Sequence, residues 1–292
     1  MKNTIKSIEN KLKLYFFWVT LERFPNLFRP SSKPYISGDS FRNIADHIFD
    51  ESKTLNPKKV KNNDIVFLSS NLIDIFFKYF HPKINAKYIL ITHNSDKNIT
   101  QYEYNYLDEN IIHWFAQNLE VEQNNRISLI PIGLENLRRL KFGRRLWFKN
   151  RLIKNNDILF SFSINTNYSK RNLAYETLIK FLDFKFFDNT REYFTTLNKS
   201  RFVISPEGNG LDTHRIWEGL ILNTLPIMIN SSFSQNLKKL GVPGIYLKDW
   251  SELKKLNSEK LIELYNQEML KDFDNLTNFN FWKSRIESYK LI

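Results

Sequence analysis

Short apolar runs recur along the chain, each ending in a polar or glycine-bearing break. Asp64–Leu68, Lys87–Thr92, Ile111–Phe115 and Ile127–Ile132 read as buried strands in the first half, with a helix at Leu72–Phe80 and a short one at Gln117–Glu122. Tyr35–Ser40 reads as a strand entering a loop. Apolar residues at 41, 44, 45, 48 and 49 then predict a helix over Phe41–Phe49, capped by Asp39 or Ser40. The second half repeats the alternation. Strands are predicted at Asp157–Ser163, Phe202–Ile204, Leu225–Ile229 and Gly244–Tyr246; helices are predicted from Ser169 to about Leu182, over Thr213–Leu222 and Ser234–Leu240, from Asp249 and Ser258, and over Asn278–Ile292. Strand and helix taking turns predict an α/β protein with parallel sheets. The basic stretch Leu137–Lys154, read as a solvated interdomain helix, divides the chain into domains 1–150 and 151–292. Met1–Phe24 reads as an amphipathic helix with Ile5, Ile8, Leu12, Tyr15, Phe16 and Val19 along one stripe, to be docked on the protein or on a membrane surface.

The stretch Arg201–Ile229, RFVISPEGNGLDTHRIWEGLILNTLPIMI, carries the most chemistry. It reads as strand, glycine loop, helix and strand, a βαβ unit. On the helix, His214, Arg215 and Glu218 share one face, and Ile216, Trp217 and Leu220 the other. The helix start offers unpaired N–H groups to an anion. Arg215 adds a planar cation suited to phosphate, and Glu218 can accept ribose hydroxyls. Such a loop, cation and carboxylate suit a sugar nucleotide. Alternatively, the glycines form a tight turn and Arg215–Glu218 is a solvated ion pair.

EGNGLDTHRIWEGLILNTLPIM resembles the C-terminal signature of exostosin-like glycosyltransferases, with Gly219 at the usual alanine and Glu207 at a commonly basic position. It is more distantly similar to fucosyltransferases. The resemblance implies a GT-B fold: two Rossmann-like domains facing a cleft, the second holding the nucleotide, and a C-terminal helix crossing back to the first. It implies donor contacts from Glu207, Gly208, Asn209, Gly210, Asp212, Thr213, His214, Arg215 and Glu218. Arg171, near the start of the helix from Ser169, is placed similarly near the pyrophosphate.

A net charge of +12 leaves nucleic acid, anionic membrane or anionic substrate as partners. The lysines are scattered and no nucleic-acid motif is present, so no nucleic-acid partner is expected. With no cysteine, a thiolate nucleophile and Cys-ligated zinc are excluded. Leu14–Leu21 is too short to span a bilayer, which suggests a cytoplasmic enzyme, peripheral at most on the inner membrane face. The sole Asp-x-Asp, Asp272–Asp274, reads as helix surface, so neither metal nor cofactor is expected. An acceptor base should come from the first domain: Asp96, His93 or Asp39. The expectation is an inverting, metal-independent hexosyl- or pentosyltransferase in bacterial-type surface polysaccharide synthesis. It would move sugar from a UDP- or GDP-linked donor to a glycan or lipid-linked glycan. The alternatives are a non-catalytic nucleotide- or glycan-binding protein and a charge-driven nucleic-acid binder.

Overall fold

A computed structural model describes residues 29–139 and 142–290. The amphipathic segment Met1–Phe24 lies outside the described residues. Two parallel sheets form the frame. In the first, β1 (His47–Phe49), β2 (Ile65–Ser69), β3 (Tyr88–His93), β4 (Ile111–Ala116) and β5 (Ile127–Leu129) lie side by side in chain order. In the second, β6 (Asn156–Leu159), β7 (Ser200–Ile204), β8 (Leu225–Ile229) and β9 (Ile245–Leu247) do the same. The fold is thus a two-domain, Rossmann-like α/β architecture of the GT-B type. Helices α1 (Gly38–Arg42), α2 (Ile73–Tyr79) and α3 (Gln101–Tyr104) accompany the first sheet. The second is served by α4 (Tyr168–Leu178), α5 (Thr190–Lys199), α6 (His214–Ile221), α7 (Ser232–Leu240) and α8 (Ser258–Glu268), and α9 (Phe279–Glu287) closes the order.

Both faces of each sheet are buried, so the strands read as continuous apolar runs rather than alternating ones. Alternation reappears in what each side chain touches. On β4, Trp114 faces Phe77 of α2, with ring centres 5.8 Å apart. His113 and Phe115 point the other way, onto Tyr289 just beyond α9, at 3.9 and 5.4 Å. Trp282 of α9 meets Phe41 of α1 at 6.3 Å, and Phe41 meets His93 at 5.4 Å. The C-terminal helix therefore crosses back and covers the second face of the first sheet. In the second domain Val203 packs with α5 and the end of α6, while Phe202 meets Tyr265 of α8 at 5.8 Å.

Several local expectations are corrected. The helix expected over Phe41–Phe49 is a short turn of helix at Gly38–Arg42 followed by β1, and its cap is Ser37, not Asp39 or Ser40. Tyr35 and Ser37 make only isolated bridges, Tyr35 to Asn278 and Ser37 to Gly133 and Leu134. Gln117–Glu122 is a turn, with Asn118 at φ 53°, a left-handed conformation that Asn tolerates. The described part of Leu137–Lys154 is a mostly irregular segment with one 3-10 turn at Arg145–Phe148. It is anchored by Lys154, whose Nζ donates to Asn198 O, Leu222 O and Thr224 Oγ1, each at 2.8 Å. One ammonium with three donors thereby joins the C-terminal ends of α5 and α6, where a cation is favoured.

Candidate active site

A cleft of about 890 Å³ opens between the carboxyl ends of the two sheets, where ligands bind open α/β folds. From the first domain it is lined by the His93–Asp96 turn after β3, Gln117 after β4, and Glu135, Asn136, Arg138 and Arg139 beyond β5. The second domain contributes Ser161–Ser163 after β6, the loop Phe184–Asn189, Tyr193 of α5, the glycine loop after β7 and the start of α6.

The domains are bolted together at the floor of this cleft by buried polar contacts. Asp212, 4% exposed, accepts from Ile132 N at 2.7 Å and from Trp217 Nε1 at 2.8 Å. Its own N–H donates to Asn118 Oδ1 at 2.8 Å, and Asn118 Nδ2 donates to Ser95 O at 3.1 Å. The left-handed turn at Asn118 is what aims this side chain across the boundary. A Cβ on Gly210 would lie 2.6 Å from Asn118 Nδ2, so only glycine allows that approach. His214 Nδ1 donates to Gly133 O at 2.8 Å. On α7, buried Asn236 donates to Leu119 O and Val121 O at 3.1 and 2.7 Å. Burial pushes the Asp212 carboxyl up to about 7, against the lowering effect of its Ile132 and Trp217 donors.

Above this floor sits a pair of arginines. Arg171 is 6% exposed; its Nε donates to Glu207 O at 2.9 Å and its Nη1 to Ser163 O at 2.8 Å. It ties the loop after β6 to the loop after β7, and its Nη2 would stand 3.2 Å from a Cβ at Gly208. Burial, then the nearby Arg215 charge, lower the Arg171 guanidinium to about 10. Arg215 is half-buried and its Nε has no hydrogen-bond partner among the described residues. The ion pairs around the cleft are Arg138–Asp39, Arg139–Glu135, Lys170–Glu207 and His214–Glu135; among the described residues neither Arg171 nor Arg215 takes part in one. Thr213 caps α6 without a side-chain bond to the helix, and its buried Oγ1 also has no partner among the described residues. Two neighbouring cations, a hydroxyl and a helix start converge, and among the described residues neither cation is taken up in an ion pair. Such an arrangement favours an anion in the cleft.

Glu218 lies one turn along α6, 5% exposed, and burial raises it to about 7 against the pull of His214 and Arg215. The Tyr193 hydroxyl lies close to both Arg215 and Glu218. The structure thus brings Arg171, Gly208, Asn209, Gly210, Asp212, Thr213, His214, Arg215 and Glu218 to one cleft wall. Glu207 is not part of that wall; its carbonyl accepts from Arg171 and its carboxylate pairs with Lys170 at 3.8 Å.

The first-domain residues separate. Asp96 is exposed at the cleft. His93 lines it, but Nε2 donates to Pro131 O at 3.1 Å and Nδ1 accepts from Asn94 N at 2.7 Å. Burial lowers its pKa to about 4, so the ring is neutral and both nitrogens are committed. Asp39 is fully buried, outside the lining, between Arg29 at 3.0 Å and Arg138 at 3.5 Å. Neither His93 nor Asp39 is placed to take a proton. Glu135, missed from the sequence, faces the start of α6 with Oε2 at 3.6 Å from His214 Nε2. Nothing in its local pattern marks it; it is brought there by the turn at Gly133, whose φ is 69°. Asp274 pairs with Arg151 at 2.8 Å, away from the cleft. Among the described residues no cluster of three or more metal-ligating side chains occurs.

Two Rossmann-like domains around a cleft with a pair of arginines on one wall are the frame of a GT-B type protein. Residues 161–288, from the loop after β6 to just past α9, match the family model described as the RXYLT1 C-terminal domain, and this match supports a glycosyltransferase. No curated protein matches the chain.

The clasp has a pH signature. A carboxyl whose folded pKa lies above its unfolded value near 4 binds its proton more tightly in the native state, so its contribution to stability falls as pH rises from about 4 to about 7. The stability advantage of wild type over Asp212→Asn, from urea unfolding, should fall over that interval, far enough to reverse its sign, and level off above it. At its acid end the substitution should cost about 1–3 kcal/mol, because an amide opposes Ile132 N–H or Trp217 Nε1–H. A pH-independent difference would refute the assignment.

Proposed function

We propose that the chain is an inverting, metal-independent glycosyltransferase that uses a nucleotide-sugar donor, UDP- or GDP-linked, and a glycan or lipid-linked glycan acceptor. The Arg171–Arg215 couple, in no ion pair among the described residues and beside the Thr213 hydroxyl and the start of α6, is the observation that carries this reading. In it the donor diphosphate rests on Arg171, Arg215 and the α6 N-terminus, and Glu218 accepts the ribose hydroxyls. The Gly208–Gly210 loop gives the backbone close approach to the donor. A cleft of about 890 Å³ has room for a donor together with the acceptor's reacting end.

A first-domain carboxylate removes the acceptor hydroxyl proton as that oxygen attacks the anomeric carbon. The bond from that carbon to the diphosphate breaks, and its electron pair leaves with the diphosphate. Two carboxylates of the first domain line the cleft, Asp96 and Glu135. Glu135 is favoured because it stands against His214 at the start of the donor helix. Negative charge gathering on the leaving group meets fixed cations and a helix N-terminus, which is the electrostatic help a divalent metal would otherwise supply. Bacterial-type surface polysaccharide synthesis fits such an acceptor.

Donor contacts are tested by calorimetry. A hydrogen bond to a charged group contributes about 1.5–3 kcal/mol, or about one to two decades in affinity. Arg215→Ala should weaken a nucleoside diphosphate by that factor and the free nucleoside hardly at all, whereas Glu218→Ala should weaken both. Wild-type affinities in folded variants would place the donor elsewhere. In a sugar-transfer assay, activity should survive exhaustive chelation and fall by about 10²–10⁴-fold in Glu135→Gln. Abolition by chelation with rescue by Mg²⁺ or Mn²⁺ would overturn metal independence, and undiminished turnover in Glu135→Gln would pass the base to Asp96.

A further inference from the structure

Between Glu135 and Asp157 the chain has no acidic residue. Its described part starts at the cleft, where Arg138, Arg139 and Phe142 are part of the lining, and then runs along the outside of α5. Aromatic residues interleaved with cations in this stretch suit nucleic acid as a sequence pattern, because aromatic faces stack on bases. The fold packs away two of those three rings. Trp147 stacks on Phe194 with centres 5.6 Å apart and planes at 14°. Phe148 is buried against the same ring at 5.3 Å. Phe142 stays 40% exposed at the cleft, and beyond it what remains outside is aliphatic: Leu146 is 59% exposed, Leu152 40% and Ile153 89%.

The cations divide in the same way. Lys154 is turned inward onto three acceptors, Arg151 pairs with Asp274, and Arg145 donates to Lys33 O. Arg144 and Lys149 are exposed and belong to no ion pair among the described residues. Leu146 sits between these two in sequence, and Leu152 and Ile153 follow. Exposed aliphatic side chains gain nothing against the polar backbone of a nucleic acid. They do gain in the boundary between lipid headgroups and acyl chains, where neighbouring cations meet anionic phosphates.

We propose that the strip Arg144–Ile153 docks this protein on an anionic lipid bilayer, with Leu146, Leu152 and Ile153 entering the interface and Arg144 and Lys149 on the headgroups. The strip continues a segment that lines the cleft, so docking here would bring the cleft rim near the lipid surface. The inference does not depend on the transferase reading, since it rests on the exposed side chains of this strip and not on the arginine pair.

The test is vesicle co-sedimentation with the full chain, using phosphatidylcholine vesicles with and without phosphatidylserine. Binding should require phosphatidylserine and weaken with added salt. Removing two surface cations at about 1 kcal/mol each should lower the partition constant by tenfold or more in Arg144→Gln/Lys149→Gln. Leu146→Ser/Ile153→Ser should lower it while circular dichroism stays unchanged, because both side chains are exposed. Equal binding to neutral vesicles, or wild-type binding by both double variants, would overturn the proposal and place any lipid contact elsewhere in the chain. Binding to an oligonucleotide through Arg144 and Lys149, with no binding to vesicles, would overturn it in favour of nucleic acid.

Discussion

One buried carboxylate holds the two halves of this molecule in register. Asp212 receives a main-chain donor from the first domain and an indole donor from its own helix, while its N–H reaches back to Asn118. Burying a carboxylate away from water is unfavourable unless donors replace the lost hydration, and here they come from both sides of the boundary. Separating the domains would strand those donors and acceptors together. The cleft is therefore a gap of fixed width, and the start of α6 is held where the end of β5 can face it. His214 and Asn236 add further ties from α6 and α7 to the first domain.

A fixed gap lets like charges be kept together. Arg171 and Arg215 would move apart or find carboxylates if the loops carrying them were free. Arg171 is instead pinned by two carbonyls, and Arg215 projects from a helix whose other face is sealed by Trp217 and Leu220. Neutral acceptors orient the Arg171 guanidinium without cancelling its charge. The positive potential is left for whatever enters the cleft, and burial makes it stronger than it would be in water.

Much of this frame is legible in the sequence because parallel strands buried on both faces leave unmistakable apolar runs. Phe202–Ile204, Leu225–Ile229 and Lys87–Thr92 each lead to an observed strand within a residue or two. The helix bearing His214, Arg215 and Glu218 is legible too, since its amphipathic period survives burial. Other features depend on tertiary approach and leave no local trace. Gln117–Glu122 has the composition of a helix, yet Asn118 adopts a left-handed turn to reach Gly210 and Asp212. Ile44, Ala45, Ile48 and Phe49 suit a helix or a strand, and the choice is made by pairing of β1 with β2. Asp39 looks like a loop carboxylate until Arg29 and Arg138 enclose it. Glu135 shows no pattern at all; the Gly133 turn alone turns it toward His214.

The central claim is that the arginine pair is an anion site built for a diphosphate. The most direct measurement is a crystal structure of the chain with uridine or guanosine diphosphate. The account predicts phosphate oxygens within hydrogen-bonding distance of Arg171, Arg215 and Thr213 Oγ1, with the ribose against Glu218. A diphosphate bound elsewhere, with the arginine pair left empty, would contradict it.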